Sequence, residues 1–485
     1  MKGKKLLSLL LAVLMLATTI LVACKPTDNG DGPDDDTDIG STGSDDHYND
    51  LEKVDLDGAT IMFLTDAPEY KVLELGESSM NDVIYKRNQK VMKDFNFKME
   101  FCADKTDIRL LTDASEIGAV DVYYTNVSSA FPESNSPVTL NLCNISTIDL
   151  SAPWWNQNVT QEYKVEDMAF IGIGDVDFGT LNNQRVLYFN KENADVHNIE
   201  YDFYDEVLAG TWTWDDFGRL AKSVTYESSG DNFMDENDNW GVVMEGSNRF
   251  YDCVMSTGVR STTREENGDV TVSINNEEFI EACSYIWKFI NYDQEMVFFR
   301  NYKKGGELIT QSECGRTITD LFTTDRNLFL LATVLDCAGE TMRNMESEYG
   351  IIPLPKYNDL QERYYSPTGH GGQTQGTSVA LITSDAEVTG TVITALYAAS
   401  GATVIPQYYE NALIAKGLRG DENNRVMLEL ITETSCADMG YAMSFMHVLW
   451  ALPDEDGHFA SYCASNQRGL ERKLKMQLNY WSKAE

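Results

Sequence analysis

Hydrophobic and polar positions along this chain follow two periods. The run Thr60-Ile61-Met62-Phe63-Leu64 ends in the polar pair Thr65-Asp66 and predicts a strand. Met80, Val83, Ile84, Val91, Met92 and Phe95 then recur at helical spacing over 81–95, with Ser79 and Asp82 placed as a capping box. Apolar runs at 97–102, 120–124 and 168–173 predict three more strands. Strands alternating with helices predict an α/β body with parallel, doubly wound sheets. Further on, Thr213 caps a helix carrying Phe217, Leu220, Ala221 and Val224, and Phe279, Ile280, Cys283, Ile286, Trp287 and Ile290 mark another. Ser384 with Glu387 opens a third, and Pro406 starts and Gly417 ends a fourth. The basic stretch 470–481 predicts a terminal helix docked on the body. No internal repeat of roughly 20–50 residues occurs, which excludes solenoids and propellers.

The amino terminus has a different pattern. Lys2, Lys4 and Lys5 precede an apolar run at 6–22 whose polar members are Ser8, Thr18 and Thr19. That is the form of an export signal, shorter than the about 20 apolar residues of a spanning helix. It ends in Leu21-Val22-Ala23-Cys24, which resembles a bacterial lipoprotein lipobox. The resemblance implies cleavage after residue 23, acylation of Cys24, and a protein held on the outer face of the cytoplasmic membrane by lipid alone. An anchor helix that stays uncut is the alternative. Residues 25–57 hold twelve Asp/Glu and two Lys with almost no large apolar side chain, so 24–57 is expected to be a flexible acidic tether.

Composition narrows the classes. The 485 residues are 42% hydrophobic, enough for a packed body of two or three lobes. With 77 acidic against 38 basic residues the net charge is −39, which repels phosphate backbones and excludes nucleic-acid binding. The cysteines beyond Cys24 are widely spaced with no CxxC pair. Neither a zinc site nor a disulfide framework is expected, and buried thiols acting as small hydrophobes suit the pattern.

Several phrases then occur in a telling order: Ser151-Ala152-Pro153-Trp154-Trp155, Val186-Leu187-Tyr188-Phe189-Asn190-Lys191, and Gly210-Thr211-Trp212-Thr213-Trp214-Asp215. Tyr349-Gly350-Ile351-Ile352-Pro353-Leu354-Pro355-Lys356-Tyr357 and Ile405-Pro406-Gln407-Tyr408-Tyr409-Glu410 follow. Together the set resembles bacterial extracellular solute-binding lipoproteins of carbohydrate ABC importers, distantly related to the maltose-binding protein. The resemblance implies a two-lobed, periplasmic-binding-protein-like type II α/β fold with ligand in the cleft between lobes. The first lobe would be 58–188 and 365–410, the second 189–364 and 411–485. It further implies a monomer that captures a carbohydrate, an oligosaccharide by the family's habit, and delivers it to a permease without catalysis.

A sugar offers hydroxyls to carboxylates and amides and an apolar face to a ring. The candidate contacts are Asp66, Trp154, Trp155, Asp175, Asp177, Asn182, Asn183, Gln184, His370 and Gln373. Each has a plainer reading as a core, loop or turn residue, and Trp212 and Trp214 are read as core. The maltose binder's stacking tryptophan has no counterpart at Val334-Leu335, so its specificity does not carry over. A sugar acid would need a local arginine such as Arg185 facing the cleft. Glu227, Ser229, Asp231, Phe233, Asp235 and Asp238 stand at the ligand positions of a twelve-residue calcium loop, although Asn232 replaces the usual glycine and Asp238 the usual glutamate. A structural calcium and simple solvated acids both fit that pattern; no other cofactor is implied. The rival functions are a surface-anchored glycoside hydrolase, a sensor for a membrane kinase, and a peptide receptor. No GxSxG, HExxH or P-loop motif supports an enzyme, and no carboxylate pair is marked out.

Overall fold

The first apolar run becomes β1 (Ala59–Leu64), with Ile61, Phe63 and Leu64 buried. In this computed structural model the described residues are 47–481, except 66, 73–74, 77, 103–110, 112–115, 132–137, 233, 235, 245, 247–248, 267, 291–295, 300–302, 305–306, 309–319, 339–341, 344, 414–417, 419–420 and 456. β2 (Phe97–Phe101) and β3 (Val122–Asn126) flank β1 in parallel register, Ala59 opposite Phe97 and Phe63 opposite Val122. The chain then builds a second sheet from β4 (Arg185–Asn190) and β5 (Trp240–Met244). A hairpin of β6 (Thr262–Arg264) and β7 (Val270–Val272) follows, then β8 (Val297–Phe299) and the small pair β9 (Lys303–Lys304) and β10 (Glu307–Leu308). β11 (Asn327–Val334) and β12 (Tyr349–Ile352) complete the second sheet in the order β12-β4-β11-β5-β8. After β13 (Ser366–Pro367), β14 (Gln375–Val379) returns to the first sheet, whose order is β14-β3-β1-β2, and β15 (Ser435–Cys436) pairs with β13.

The first sheet is mixed, because β14 runs antiparallel to β3. The expected strand at 168–173 does not form. A Cβ on Gly172 would lie 2.6 Å from the Trp155 ring and one on Gly174 2.1 Å from the Trp154 carbonyl, so this segment is pressed against 154–155. Among the described residues it pairs through single bridges, Met168 with Val165, Gly172 with Thr377 and, just beyond it, Gly174 with Trp155.

The two helices expected on either side of Pro406 are one, Ala386–Leu413. Proline withdraws one amide from the ladder, but Val404 and Tyr408, four residues apart, are both buried and hold the flanks in line. By length and composition this helix would suit a membrane, yet most of its apolar stretch is buried within the protein, where it packs on the helix Ser79–Phe95. The last residues of the expected acidic tether, from His47 on, belong to the body. From His47 the chain is docked: Tyr48 is buried and donates to Asp94 at 2.8 Å, and Leu56 N–H bonds to the Phe95 carbonyl at 2.9 Å. One buried tyrosine and two leucines outweigh the charges around them. The earlier part of that segment, and Cys24, lie outside the described residues.

Trp212 and Trp214 are fully buried as expected. Thr213 between them caps the helix Trp214–Ser223, which lies so close on β5 that a Cβ on Gly241 would meet the Ala221 carbonyl at 2.1 Å. Each indole N–H is satisfied, by the Pro353 carbonyl at 3.2 Å and Ser256 Oγ at 3.0 Å. Cys102, Cys143, Cys253, Cys283, Cys337, Cys436 and Cys463 are free thiols; Cys314 lies outside the described residues.

Candidate functional site

Open α/β sheets bind ligand beyond the carboxyl ends of their strands. Here β3 ends at Asn126, whose side chain caps the short helix Val127–Ala130 by accepting the Ser129 N–H at 3.0 Å. The loop at 369–374 is laced to that end: Val127 N–H bonds to the Thr374 carbonyl at 2.9 Å and Ser128 N–H to that of Gly371 at 3.0 Å. From the second sheet, β5 ends at Met244 and leads into the helix Phe250–Ser256, which carries Asp252. The two sheets meet along a seam at Arg185, the first residue of β4.

Arg185 is 0% exposed. Its Nε donates to Asp252 Oδ2 at 2.8 Å, its Nη1 to the Asn183 carbonyl at 3.2 Å, and its Nη2 to Gln373 Oε1. Arg249 Nη1 lies 3.9 Å from the same Asp252 oxygen. A side chain at Gly369, where φ is +86°, would lie 3.0 Å from Arg185 Nη2, so both conformation and space require glycine there. In front of this ion pair sits His370, half-buried, its ring 5.0 Å from that of Trp450 at 83° and 6.5 Å from that of Tyr441. Burial, followed by the positive charge of Arg185, pushes the His370 pKa down to about 4, against a weaker upward pull from Asp252. His370 is therefore neutral, and an NMR titration of its ring is expected to show no inflection between about pH 5 and 8. An imidazole, an indole and an amide meeting at one seam, with the Arg185 guanidinium buried behind them, supply a stacking surface with donors and acceptors for an uncharged polyol.

Of the residues chosen from the sequence, this seam brings together His370 and Gln373. Trp155, Asp177, Asn183 and Gln184 are engaged elsewhere. Trp155 is 2% exposed, with its ring 4.1 Å from that of Tyr397, so neither face is open to a sugar. Trp154 packs beside His47 at 6.5 Å. Asp177 is buried and accepts Tyr397 Oη at 2.8 Å and the Gly174 N–H at 2.6 Å, tying a turn to the long helix; burial holds its pKa well above the carboxylate range. Asp175 is pressed on the same helix, where a Cβ at Gly401 would lie 2.4 Å from its carboxylate. Asn183 donates to the Gly179 carbonyl at 2.8 Å, and Gln184 to Ile431 and Ser435 at 2.7 and 2.8 Å. Asn182 is half-buried in the helix Phe178–Asn182. Asp66 lies outside the described residues.

Arg249, Asp252 and Trp450 were not among the residues chosen. The arginine and aspartate did carry a signal, opposite charges three apart just after a wholly apolar strand. Trp450 carried none, being one apolar residue among several in Met446–Trp450.

In the calcium-like loop, Glu227 accepts Ser229 Oγ at 2.8 Å and the Asp231 N–H at 3.2 Å, while the buried Asp238 accepts the amides of Ser228 and Ser229 at 2.7 and 3.0 Å. The first and last acids thus hold the loop's own backbone. Phe233 and Asp235 lie outside the described residues, and among the described residues no three His, Cys, Asp or Glu side chains converge as a metal site.

No family model matches the chain, and no curated protein matches it. Solved structures do. An ABC substrate-binding protein from Listeria monocytogenes, in complex with cycloalternan, is 13% identical and superposes with a TM-score of 0.51 over 86% of this chain and 99% of its own. A Rhizobium etli sugar transporter in an open conformation is 13% identical, TM-score 0.53, covering 85% of this chain and 99% of its own. Mycobacterium tuberculosis UspC is 12% identical, TM-score 0.52, covering 85% and 100%. At such identities the likeness is one of fold, and the chain has the type II periplasmic-binding-protein-like α/β fold.

Proposed function

We propose that this chain is an extracytoplasmic receptor that captures a carbohydrate in the seam between its two sheets and delivers it to an ABC permease, without chemical turnover. The observation that carries the reading is the convergence of His370, Gln373 and Trp450 at the carboxyl ends of β3 and β5. Arg185 and Asp252 hold that point shut from both sides. The fold supports it, since solved proteins of this fold include a sugar transporter and a cycloalternan-bound substrate-binding protein. Complete burial of Arg185 means that its guanidinium is reached only when the sheets part, and capture by opening and closing about the crossings before β4 and before β14 would suit that placement. An export signal and acylation of Cys24 would hold the body near a permease.

The test is a thermal-shift screen of the full chain against oligosaccharides, with the bound glycan recovered afterwards. A ligand at 100 times its Kd adds about 2.7 kcal/mol to stability, a rise of a few degrees in Tm. The glycan is expected to return intact; cleaved product would establish a hydrolase instead. Trp450→Ala is expected to weaken the glycan about tenfold, ~1.4 kcal/mol, and Trp450→Phe less. No shift with any glycan would overturn the reading.

A further inference from the structure

A cavity of about 250 Å³ lies apart from the seam, and none of the seam residues lines it. Its walls are the end of the helix Gln157–Glu162, the β6–β7 hairpin and the start of the helix Glu277–Trp287. Val259, Val270, Ser273 and Met439 form a buried floor, and Thr263, Arg264 and Glu278 an exposed rim.

Two opposite charges face this cavity without touching. The Arg260 guanidinium is braced from behind: Nε donates to the Ala437 carbonyl, and Nη1 to those of Met255 and Val259, each at 2.8 Å. Nη2 is left for the cavity. Glu162 accepts the Met439 N–H on Oε1 at 3.2 Å, which leaves Oε2. The two charges attract one another, but no ion pair joins them. Burial raises the Glu162 pKa, and Arg260 opposes that rise. Asp438, also near Arg260, is engaged by Ser261 Oγ at 2.8 Å and the Gly440 N–H at 2.6 Å, so it does not close the gap.

We propose that this cavity binds a small zwitterion of the α-amino-acid class, its carboxylate on Arg260 Nη2 and its ammonium on Glu162 Oε2. Each half-buried group is anchored on one side, Arg260 on three carbonyls and Glu162 on the Met439 N–H, and keeps one donor or acceptor on the cavity side. A ligand with the same charges reversed supplies both partners at once, and a guanidinium is well matched to a carboxylate. On the rim, Glu278 in the first turn of the helix Glu277–Trp287 adds a second carboxylate within reach of an ammonium, and Arg264 a second guanidinium. The volume falls below the roughly 300–1,000 Å³ of sites for larger ligands, so an oligosaccharide is excluded by size. The inference is independent of the cargo at the seam.

Calorimetric titration of the full chain with glycine, L-alanine and L-serine tests it, beside N-acetyl-L-serine, L-serinamide and glucose. The free amino acids are expected to bind, and each capped derivative to bind at least about tenfold more weakly, ~1.4 kcal/mol. Glu162→Gln keeps the acceptor for Met439 and is expected to weaken L-serine about tenfold while leaving N-acetyl-L-serine unchanged, a pattern that mere unfolding would not produce. Arg260→Lys keeps the charge but loses the fork, and is expected to weaken L-serine and N-acetyl-L-serine alike. Absence of binding at millimolar amino acid, equal binding of the capped forms, or equal binding of glucose would each overturn the proposal. Glycans are titrated separately, so failure here leaves the seam reading standing.

Discussion

Asp252→Ala is expected to destabilise the folded chain by about 3–5 kcal/mol, the usual cost of removing one partner from a buried ion pair. Arg185 has no exposure, and its shortest charged contact is the 2.8 Å bond to Asp252 Oδ2. Arg249 approaches the same oxygen at 3.9 Å. Without the carboxylate, two guanidiniums face each other at the point where the sheets meet. Asp252→Asn keeps the oxygen and loses only the charge, so it is expected to fall between parent and alanine. Urea unfolding checks this, with the first transition taken as the reading because a two-sheet body need not unfold in one step. An alanine variant within about 1 kcal/mol of the parent would show that Asp252 is not what compensates Arg185. Glycan affinity should fall with stability, since Arg185 holds Gln373 in place.

Asp175→Asn is expected to do the opposite and stabilise the protein at neutral and alkaline pH. The Asp175 carboxyl is pressed against the helix Ala386–Leu413 at Gly401, and burial alone pushes its pKa up to about 7. In the unfolded chain an aspartate titrates near 3.9. The folded state therefore holds its proton more tightly, and stability falls as pH rises from about 4 to about 7, the full cost being present above that. About three pKa units correspond to an upper bound of ~4 kcal/mol, and a gain of about 2 kcal/mol or more at pH 8 is expected for the asparagine variant. Near pH 4 the variant and parent should coincide. Asp177 and Glu69 are pushed upward by burial as well, so the asparagine variant's own stability should still slope downward with pH. Equal stabilities at pH 8 would mean that the Asp175 carboxylate stays hydrated against Gly401.

Much of the frame was legible from local pattern. β1, the helix Ser79–Phe95, the helix capped by Thr213 and the buried Trp212 and Trp214 follow from periodicity and capping chemistry, which act over a few residues, although the cap of the first helix is Ser78, accepting the Asn81 N–H, and not the expected Ser79. Where local signals misled, a distant contact had overridden them. The apolar run at 168–173 has strand composition, but Trp154 and Trp155 occupy the space a ladder would need. Pro406 reads as a helix start, yet the buried residues on both sides of it keep one helix continuous.

The site divides along the same line. Residue types and their order determined the α/β class. The polar cluster from Asp175 to Gln184 looked like a ligand surface because sequence records polarity but not direction; folded, Asp177 bonds to Tyr397 and Gln184 to Ser435. Arg185 and Asp252 are 67 residues apart, and Gln373 is 188 residues from Arg185. Only the return of β14 to the first sheet brings that arginine, aspartate and glutamine together. Trp450 joins them from an apolar helix that no local rule distinguishes from core. Local periodicity tells a residue which way to face within its own element, and it is the crossing of the chain between two sheets that decides what it meets there.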